Sequence, residues 1–398
     1  MVQEHARRPA QNQQFVQAFR KTESWLERQG WRAYEPHDGL SSPLRRLLGQ
    51  NRTALLAFKQ VVLRSPVNLR PFLGIPAATS PESMGFFARA YLRLYQALGQ
   101  QADHDAAEAK LAWLMRHSES GYHGMCWANQ FDYITRFFYL PKGMPIVVWT
   151  AHNAHVFLDA YEQLKRPCYL EAARSAAEFV YRDLPRRSEG DTVCISYVPI
   201  GDHPVHNANL LGASLLARVA THTGEQELTA IARQAMAYTV KHQRPDGSWW
   251  YGEAPSLHWV DNFHTGYNLE CMLLYQEATG DHSFEAAMLR GLDYYVQNFF
   301  LPDGTPRYFS QKTYPIDIQC AAQSIETLKI FASYRPELRA KAERVANWTL
   351  AHMQSSDGYF YFRRGARWVS TTPMLHWGQA TMLSALAGLL LPLTQRGV

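Results

Sequence analysis

The feature that most constrains the fold of this chain is a nearly all-apolar helix type that recurs along it. Its copies end near Tyr95, Tyr161, Val219, Tyr275 and Phe331, about 56 to 66 residues apart, and one further step reaches an apolar helix near the C-terminus. A steady period of this kind is typical of an architecture built from repeated supersecondary units. The sequence therefore predicts six copies of one unit.

A second helix type lies between these copies and has a narrower apolar stripe. Apolar positions share one helical face in residues 170–184, 283–300 and 338–353, whereas residues 210–220 are apolar nearly all round. A helix that is apolar all round is buried, and a helix with one apolar stripe lies outside it. Each unit is therefore predicted to be an inner helix followed by an outer helix.

Short aromatic segments follow three of the outer helices, and each contains an Asp-Gly pair. The pairs are Asp246–Gly247, Asp303–Gly304 and Asp357–Gly358. Asp-Gly favours a tight turn, and the aromatic residues after it predict small β-hairpins. Solenoid repeats are usually shorter, at ~34–47 residues, so six longer units favour a closed ring.

The predicted fold is therefore all-α, an (α/α)6 toroid with short β-hairpins at one end. We expect residues 1–398 to form a single domain, since no stretch resembles a linker. Within it, residues 1–79 form an irregular N-terminal part with an outer helix at 13–29, and residues 80–398 contain the repeated helix pairs.

Charge and composition argue against several classes of protein. The net charge is +5 over 398 residues, and no long block of Lys or Arg occurs, so no nucleic-acid partner is expected. No run of about 18 apolar residues predicts a membrane span. Five scattered cysteines without a CxxC pair, after a polar N-terminal stretch, predict reduced thiols and a cytoplasmic location.

Cofactor motifs do not occur in the sequence. It has no GxxxxGK loop, no GxGxxG after a strand, no GxSxG elbow and no zinc-type cysteine pairs. His152, His155 and Asp159 share a helix face but do not match HExxH. We therefore expect neither a cofactor nor a metal.

Polar residues recur at the starts of five consecutive inner helices, where a buried helix should avoid them. In a ring these starts converge on one mouth, so the pattern predicts a polar pocket there. Ordinary N-capping is the alternative for the Asp and Asn residues, at about 1 kcal/mol each. The residues are His152, Asn153, His155, His206, Asn207, Asn209, Asp261, Asn262, His264, Asp317, Gln319, His376 and Gln379.

Asp261 and Asp317 are the candidate catalytic carboxylates, with His264 beside them. They start neighbouring inner helices, whose axes pack ~8–10 Å apart, and glycosidic acid–base pairs lie ~5–9.5 Å apart. His264 shares a helix face with Asp261. It is predicted to orient a carboxylate or bind sugar hydroxyls, or, with Tyr267 as an alternative, to abstract a sugar proton.

The predicted binding residues combine aromatic faces with amides, imidazoles and a carboxylate. Sugar rings pack their apolar faces on aromatics while their hydroxyls bond polar side chains, so this mixture favours an oligo- or polysaccharide ligand. Hairpin packing is the alternative role for each tryptophan. The residues are Trp127, Asp132, His152, Asn207, Asn209, Trp259, Tyr267, Asn268, His376 and Trp377.

At these residues the chain resembles the six-hairpin toroid glycosidases, polysaccharide lyases and sugar epimerases. It resembles still more a family of uncharacterised proteins encoded in bacterial capsule, O-antigen and exopolysaccharide clusters, often labelled prenyltransferase-like. This resemblance implies a toroid fold and a polysaccharide context, but no established reaction. It covers SPVNLRPFLGI, CWANQFDY, ISYVPIGDHPVHNANLLGA, WVDNFHTGYNLE, YFSQKTYPIDIQCAAQSI and MLHWGQATM, which lie between about residues 35 and 390.

The segment QRPDGSWWYG also resembles the Gln-Trp repeat of triterpene cyclases, but their DxDD and DDxxD motifs do not occur here. The leading hypothesis is a glycoside hydrolase-like enzyme of bacterial polysaccharide metabolism, with uronic acid-containing chains among its candidate substrates. The alternatives are a polysaccharide lyase or uronic acid C5-epimerase, a non-catalytic saccharide-binding protein, and a terpenoid cyclase or prenyltransferase-like enzyme.

Overall fold

The computed structural model describes residues 2–135 and 139–393, with the side chains of residues 2–10 left aside. The described part contains fourteen α-helices. They are α1 Val2–Arg28, α2 Arg45–Leu48, α3 Arg52–Arg64, α4 Pro81–Leu98, α5 Gln101–Arg116, α6 Val147–Leu164, α7 Pro167–Glu178, α8 His206–Thr223, α9 Gln226–Lys241, α10 Asn262–Thr279, α11 Glu285–Asn298, α12 Ile318–Ile330, α13 Glu337–Met353 and α14 Thr381–Leu390.

Six of these helices form a closed inner ring. Helices α4, α6, α8, α10, α12 and α14 each contact the next, and α14 packs against α4 to close the circle. Helices α5, α7, α9, α11 and α13 each pack outside the inner helix that precedes them. Helix α1 packs on α14 and supplies the sixth outer helix. The predicted (α/α)6 toroid is confirmed.

The two helix types differ in burial as the sequence patterns predict. Residues 206–220 of the inner helix α8 are all buried, whereas the outer helix α13 buries only one stripe. Several inner helices end at a glycine in the left-handed region, as at Gly99 with φ 69° and Gly224 with φ 77°. Glycine adopts this conformation without a Cβ clash, so it stops these helices cleanly.

The strands are short and lie between the helices. They span Tyr133–Ile134 (β1), Tyr139–Leu140 (β2), Arg186–Glu189 (β3), Thr192–Ile195 (β4), Ile316–Asp317 (β5), Arg363–Arg364 (β6) and Val369–Ser370 (β7). Strand β1 pairs with β2, β3 with β4, and β5, β6 and β7 form one antiparallel sheet.

The segments with Asp-Gly pairs are less regular than predicted. After Asp246–Gly247, Gly252 bridges to Val205 at the start of α8 rather than folding back on its own strand. At Asp303–Gly304, the turn is closed by the single bridge between Phe300 and Pro306. These segments therefore tie neighbouring units together at the ends where the inner helices start.

Charged side chains fill the opposite half of the ring. Arg218 on α8 bonds Asp159 and Glu162 on α6, both at 2.9 Å. Arg93 on α4 pairs with Glu326 on α12, and Arg89 lies 3.3 Å from Asp159. Five of these six residues belong to the C-terminal halves of inner helices, and Arg89 lies at the middle of α4, so this network occupies the ring from its middle towards the end away from the helix starts. We call it the axial network.

The chain between α1 and α4 forms an excursion over the helix starts. Arg70 holds the start of this excursion in place. Its Nε donates to both Asp38 oxygens at 2.8 and 2.9 Å, and its Nη2 donates to the Glu35 carbonyl at 3.0 Å. Burial raises the pKa of Asp38 to about 6, against the opposing effect of Arg70. The N-terminal part contains α1, where an outer helix is expected at 13–29, and the short helices α2 and α3 within the excursion.

No helix within the described ranges is both long enough and apolar enough to cross a membrane.

Candidate active site

A cavity of about 1340 Å³ opens where the inner helices start, and we call it the mouth cavity. Small-molecule sites usually measure ~300–1,000 Å³, so this one has room for several sugar rings. The excursion forms one wall and the connecting segments form the others. Its aromatic lining includes Tyr133, Trp149, Tyr197, Tyr251, Trp259, Phe263, Tyr267, Tyr308 and Trp377.

Asp261 and His264 form a hydrogen-bonded pair at the start of α10. Asp261 is the N-cap, and its Oδ1 accepts the His264 backbone N–H at 3.0 Å. Its Oδ2 lies 2.7 Å from His264 Nδ1 and accepts Trp259 Nε1 at 3.2 Å. Asp261 is buried, whereas His264 lines the mouth cavity. The carboxylate therefore orients the imidazole, and Nε2 is the nitrogen left for a ligand.

The carboxylate of Asp317, at the start of α12, is likewise occupied by hydrogen bonds. It accepts the Gln319 backbone N–H at 2.9 Å, Trp377 Nε1 at 2.8 Å and Arg363 Nε at 2.6 Å. Its side chain is fully buried and does not line the mouth cavity, but Trp377 and Arg363 do. The structure therefore gives Asp317 a positioning geometry. A catalytic Asp261–Asp317 pair stays a prediction that these contacts do not favour.

A cluster of one histidine and two glutamates lies on the floor of the mouth cavity, and the sequence predicts only the histidine as a site residue. His376 Nδ1 is 3.1 Å from Glu35 Oε2, and His376 Nε2 is 3.4 Å from Glu82 Oε2. The His376 backbone N–H and the Ser80 hydroxyl both donate to Glu35 Oε1, at 3.1 and 2.9 Å. All three titratable groups line the mouth cavity. One imidazole thus stands between two carboxyl groups.

The surroundings of this cluster shift two pKa values. Burial raises the pKa of Glu82 to about 7, although His376 opposes the shift. Burial alone would lower the pKa of His376, but the charges of Glu82 and Glu35 outweigh it and raise the pKa to about 9. Glu82 is therefore a carboxyl group that holds its proton to a higher pH than an ordinary glutamate, as general acids of glycosidases do.

Several buried polar atoms on the cavity floor have no hydrogen-bond partner among the described residues. They include Gln319 Oε1, Asn207 Oδ1 and His152 Nε2. The first two side chains line the mouth cavity, and the His152 ring packs 4.9 Å from that of Tyr267. An unpaired buried polar group costs ~1–3 kcal/mol, so these atoms favour a polar ligand.

Five of the predicted binding residues line the mouth cavity: Asn207, Trp259, Tyr267, His376 and Trp377. Tyr267 is further fixed by Gln319, whose Nε2 donates to its hydroxyl at 2.6 Å. Asn268 lies just beyond, where it lines a small adjoining cavity together with Asp261 and Trp259.

Three other predicted binding residues have structural contacts instead. Trp127 is fully buried and donates to the Leu114 carbonyl at 3.1 Å. Asn209 is fully buried and bonds the Ile195 N–H and the Ala235 carbonyl. Asp132 accepts the Lys142 N–H and pairs with Arg45. None of the three lines the mouth cavity, so the structure does not bring them to the site.

The sequence does not predict Glu35 and Glu82 as site residues, for a different reason in each case. Glu82 follows Ser80 and Pro81 at the start of α4, where an acidic residue is ordinary helix-start chemistry. Glu35 lies in a non-periodic stretch, 341 positions before its partner His376. His376 and Trp377 lie in a π-helical turn, Leu375–Ala380, that leads into α14. Such turns are frequent at functional sites, but no sequence pattern marks this one.

Two of the three residues that share a helix face on α6 but do not match HExxH have other partners. His155 Nε2 lies 3.1 Å from the Ser214 hydroxyl, and Asp159 pairs with Arg218. Over the part of the chain that the structure describes, no three His, Cys, Asp or Glu side chains form a group suited to a metal.

Comparison with family models and with curated proteins finds no match. Among solved structures, an unsaturated glucuronyl hydrolase specific for heparin has a TM-score of 0.62 at 13% identity, covering 95% of this chain and 96% of that chain. A cellobiose 2-epimerase from Bacillus thermoamylovorans has a TM-score of 0.58 at 11% identity, covering 79% and 90%. A GH76 alpha-mannanase from Bacteroides thetaiotaomicron has a TM-score of 0.60 at 12% identity, covering 79% and 86%. At these identities the likeness establishes the six-hairpin (α/α)6 fold alone.

Proposed function

We propose that this chain is a carbohydrate-active enzyme that binds a saccharide in the mouth cavity and acts on it by acid–base chemistry. One observation supports this most: Glu82 and the Asp261-held His264 both line the same aromatic cavity. They belong to α4 and α10, which are three steps apart in the six-membered inner ring and therefore opposite each other.

Glycoside hydrolysis is the first candidate reaction, because a protonated carboxyl group can protonate a departing glycosidic oxygen. Glu82 donates its proton to that oxygen as the bond to the anomeric carbon breaks. A water attacks the anomeric carbon, and His264 Nε2 accepts the proton that the water loses. Asp261 holds the resulting imidazolium, and Asp317 positions Trp377 and Arg363 in the cavity wall.

The solved structures support the choice of substrate class. The solved structures with this fold include a glucuronyl hydrolase, a cellobiose epimerase and an alpha-mannanase, all of which act on sugars. The aromatic lining provides faces for sugar rings, and the unpaired oxygens of Gln319 and Asn207 provide acceptors for hydroxyls. The resemblance to polysaccharide-cluster proteins supports a substrate from bacterial polysaccharide metabolism.

The test is to incubate the purified protein with a panel of oligosaccharides that includes uronic acid-containing ones. New reducing ends without the ultraviolet absorbance of an unsaturated product are expected. Glu82→Gln and His264→Asn should each lower the rate by about 100-fold or more, because general acid–base groups contribute ~10²–10⁴-fold. Glu171→Gln on the exposed face of α7 and His104→Asn on α5 serve as matched controls.

Wild-type rates in both site variants would contradict the assignment of Glu82 and His264. Thermal stabilisation by a saccharide, without any product from the whole panel, would instead identify a saccharide-binding protein.

Proton abstraction from a sugar carbon is the second candidate reaction, and the Asp261–His264 contact favours it. An imidazole held by a carboxylate is a suitable general base for a C–H group next to a carbonyl or carboxylate. Elimination would then give an absorbing unsaturated product. Epimerisation would give neither signal but would bring solvent deuterium into the sugar.

A further inference from the structure

Lys59 is a cationic side chain in the wall of the mouth cavity that the proposed chemistry does not use. It belongs to the excursion helix α3, is 3% exposed and lines the cavity. Its ammonium donates to the Ile134 carbonyl and lies 4.7 Å from the centre of the Tyr133 ring. Burial alone lowers the pKa of Lys59 to about 8.

The position of Lys59 in its helix makes the charge unusual. Leu55, Lys59 and Val62 form the buried stripe of α3, where an apolar residue is expected. Within the described ranges no carboxylate pairs with the ammonium, and a single carbonyl leaves most of its donor capacity unused. A buried charge without a partner is costly, so a side chain such as Met would serve packing better.

His37 and Lys59 both lie against the ring of Tyr133, and the pKa of His37 indicates a positive electrostatic potential there. It lines the mouth cavity, and its ring centre lies 5.0 Å from that of Tyr133 and 6.1 Å from that of Trp377. Burial lowers the pKa of His37 well below its ordinary value, and the charges of Lys59 and Arg363 lower it further. Its Nδ1 is buried and has no hydrogen-bond partner among the residues described.

The ionised groups of the cavity are segregated. Glu35 and Glu82 are the acidic residues of its lining, and both face His376 on the floor. The cationic residues Lys59, Arg64, Lys312 and Arg363 line the walls instead. Arg363 is neutralised by Asp317, and protonated His376 faces the Glu35 carboxylate, so among these described lining residues Lys59 is the buried cation without a carboxylate partner.

We propose that Lys59 and His37 form an anionic subsite of the mouth cavity and that the substrate is an acidic saccharide whose carboxylate binds there. The ammonium supplies the charge, and the neutral His37 ring supplies a second N–H donor. Tyr133 and Trp377 flank the pair and pack against the sugar ring. This inference rests on the proposed function, since it names the substrate class of the same cavity.

The probes are a matched pair, methyl glucuronide and its uronamide, which differ in charge but hardly in shape. Binding is measured by calorimetry at about pH 6.5, below the pKa of Lys59, and again at about pH 9.5. The wild-type protein should bind the glucuronide about tenfold more tightly at the lower pH, because a charge-assisted hydrogen bond is lost in the amide. At the higher pH this preference should shrink.

Lys59→Met should remove the preference, whereas Lys59→Arg should retain it. Lys110→Met is the matched control, because Lys110 also lies over an aromatic ring, 3.6 Å from the centre of Trp31, and burial lowers its pKa to about 8. Lys110 does not line the mouth cavity, so its variant should keep the wild-type preference. Circular dichroism checks that each variant is folded.

Equal binding of the two probes to the wild-type protein would overturn the subsite but leave a saccharide cavity in place. Tighter binding of glucose 6-phosphate than of the glucuronide would also overturn it and assign the wall to a phosphate ester. Failure of every saccharide to bind or react would overturn the proposed function itself.

Discussion

At the residue scale, the contacts of His376 with Glu35 and Glu82 make stability depend on pH. The pKa of Glu82 rises from 4.5 to about 7, so its contribution is present below about pH 4.5 and is lost as the pH rises through 7. The pKa of His376 rises from 6.5 to about 9, so its contribution is complete below 6.5 and is lost as the pH rises through 9.

The free energy of unfolding should therefore fall between about pH 4.5 and 9 in the wild-type protein. Glu82→Gln removes the titration of Glu82 and reduces the pKa shift of His376. The decrease in the free energy of unfolding should therefore be smaller by ~1–3 kcal/mol, since each pKa unit is worth ~1.4 kcal/mol. Urea unfolding at a series of pH values measures the slope. Glu171→Gln should keep the wild-type slope, and an unchanged slope in Glu82→Gln would refute this account.

Single residues also show where sequence reasoning reached its limit. Asp261 and Asp317 were correctly placed at the starts of inner helices, because the periodicity marks those starts. Helix spacing does not fix the direction of a side chain, however, and both carboxylates turn back onto their own helix N–H groups. The contact between Glu35 and His376 needs the whole ring to form, so no local pattern predicts it.

At the element scale, Asp317 connects the start of α12 to strand β6 and to the π-helical turn before α14. Asp317→Asn weakens a helix cap and leaves Arg363 without its buried counter-charge. Breaking a buried pair costs ~3–5 kcal/mol, so the free energy of unfolding should fall by about 3 kcal/mol. Thermal or urea unfolding measures this effect.

Asp293→Asn is the matched control, because Asp293 pairs with Arg335 at the surface, where a pair contributes ~0–1 kcal/mol. A stable but inactive Asp317→Asn protein would restore Asp317 as a candidate catalyst. A less stable variant with the wild-type maximal rate under folded conditions would support a positioning role.

Helices were easier to predict than the segments between them. Apolar periodicity is a direct consequence of burial on one face or all faces, so α11 and α13 agree with their predicted bounds to within two residues. The Asp-Gly segments contain the predicted turns, and one of them closes locally through Phe300 and Pro306, but another pairs with a different unit. Gly252 pairs with Val205, a contact decided by how the units pack rather than by the local sequence.

At the scale of the whole molecule, the ring is completed by helices from the two ends of the described chain, α1 and α14. We propose that the chain folds as one domain, so damage to this closure should destabilise every unit. Phe19 on α1 is fully buried and its ring lies 5.7 Å from that of Tyr91 on α4. Phe19→Ala should lower the free energy of unfolding by ~3–5 kcal/mol.

The unfolding transition should remain single when it is followed by circular dichroism and by tryptophan fluorescence. Phe72→Ala is the control, because Phe72 is 83% exposed and its loss should change stability by no more than ~0.5 kcal/mol. Two separated transitions in Phe19→Ala would argue against one cooperative domain.

The axial network determines the route by which a ligand can enter and leave the mouth cavity. Its charged side chains occupy the ring from its middle to the far end, and none of them lines the mouth cavity, so the described structure offers a blind pocket rather than a tunnel. A saccharide bound there as proposed enters with one end of its chain and leaves through the same opening. For a saccharide bound as proposed, a pocket that is closed at one end favours action at the ends of chains over processive movement along a polymer. The product must then leave before the next substrate can bind.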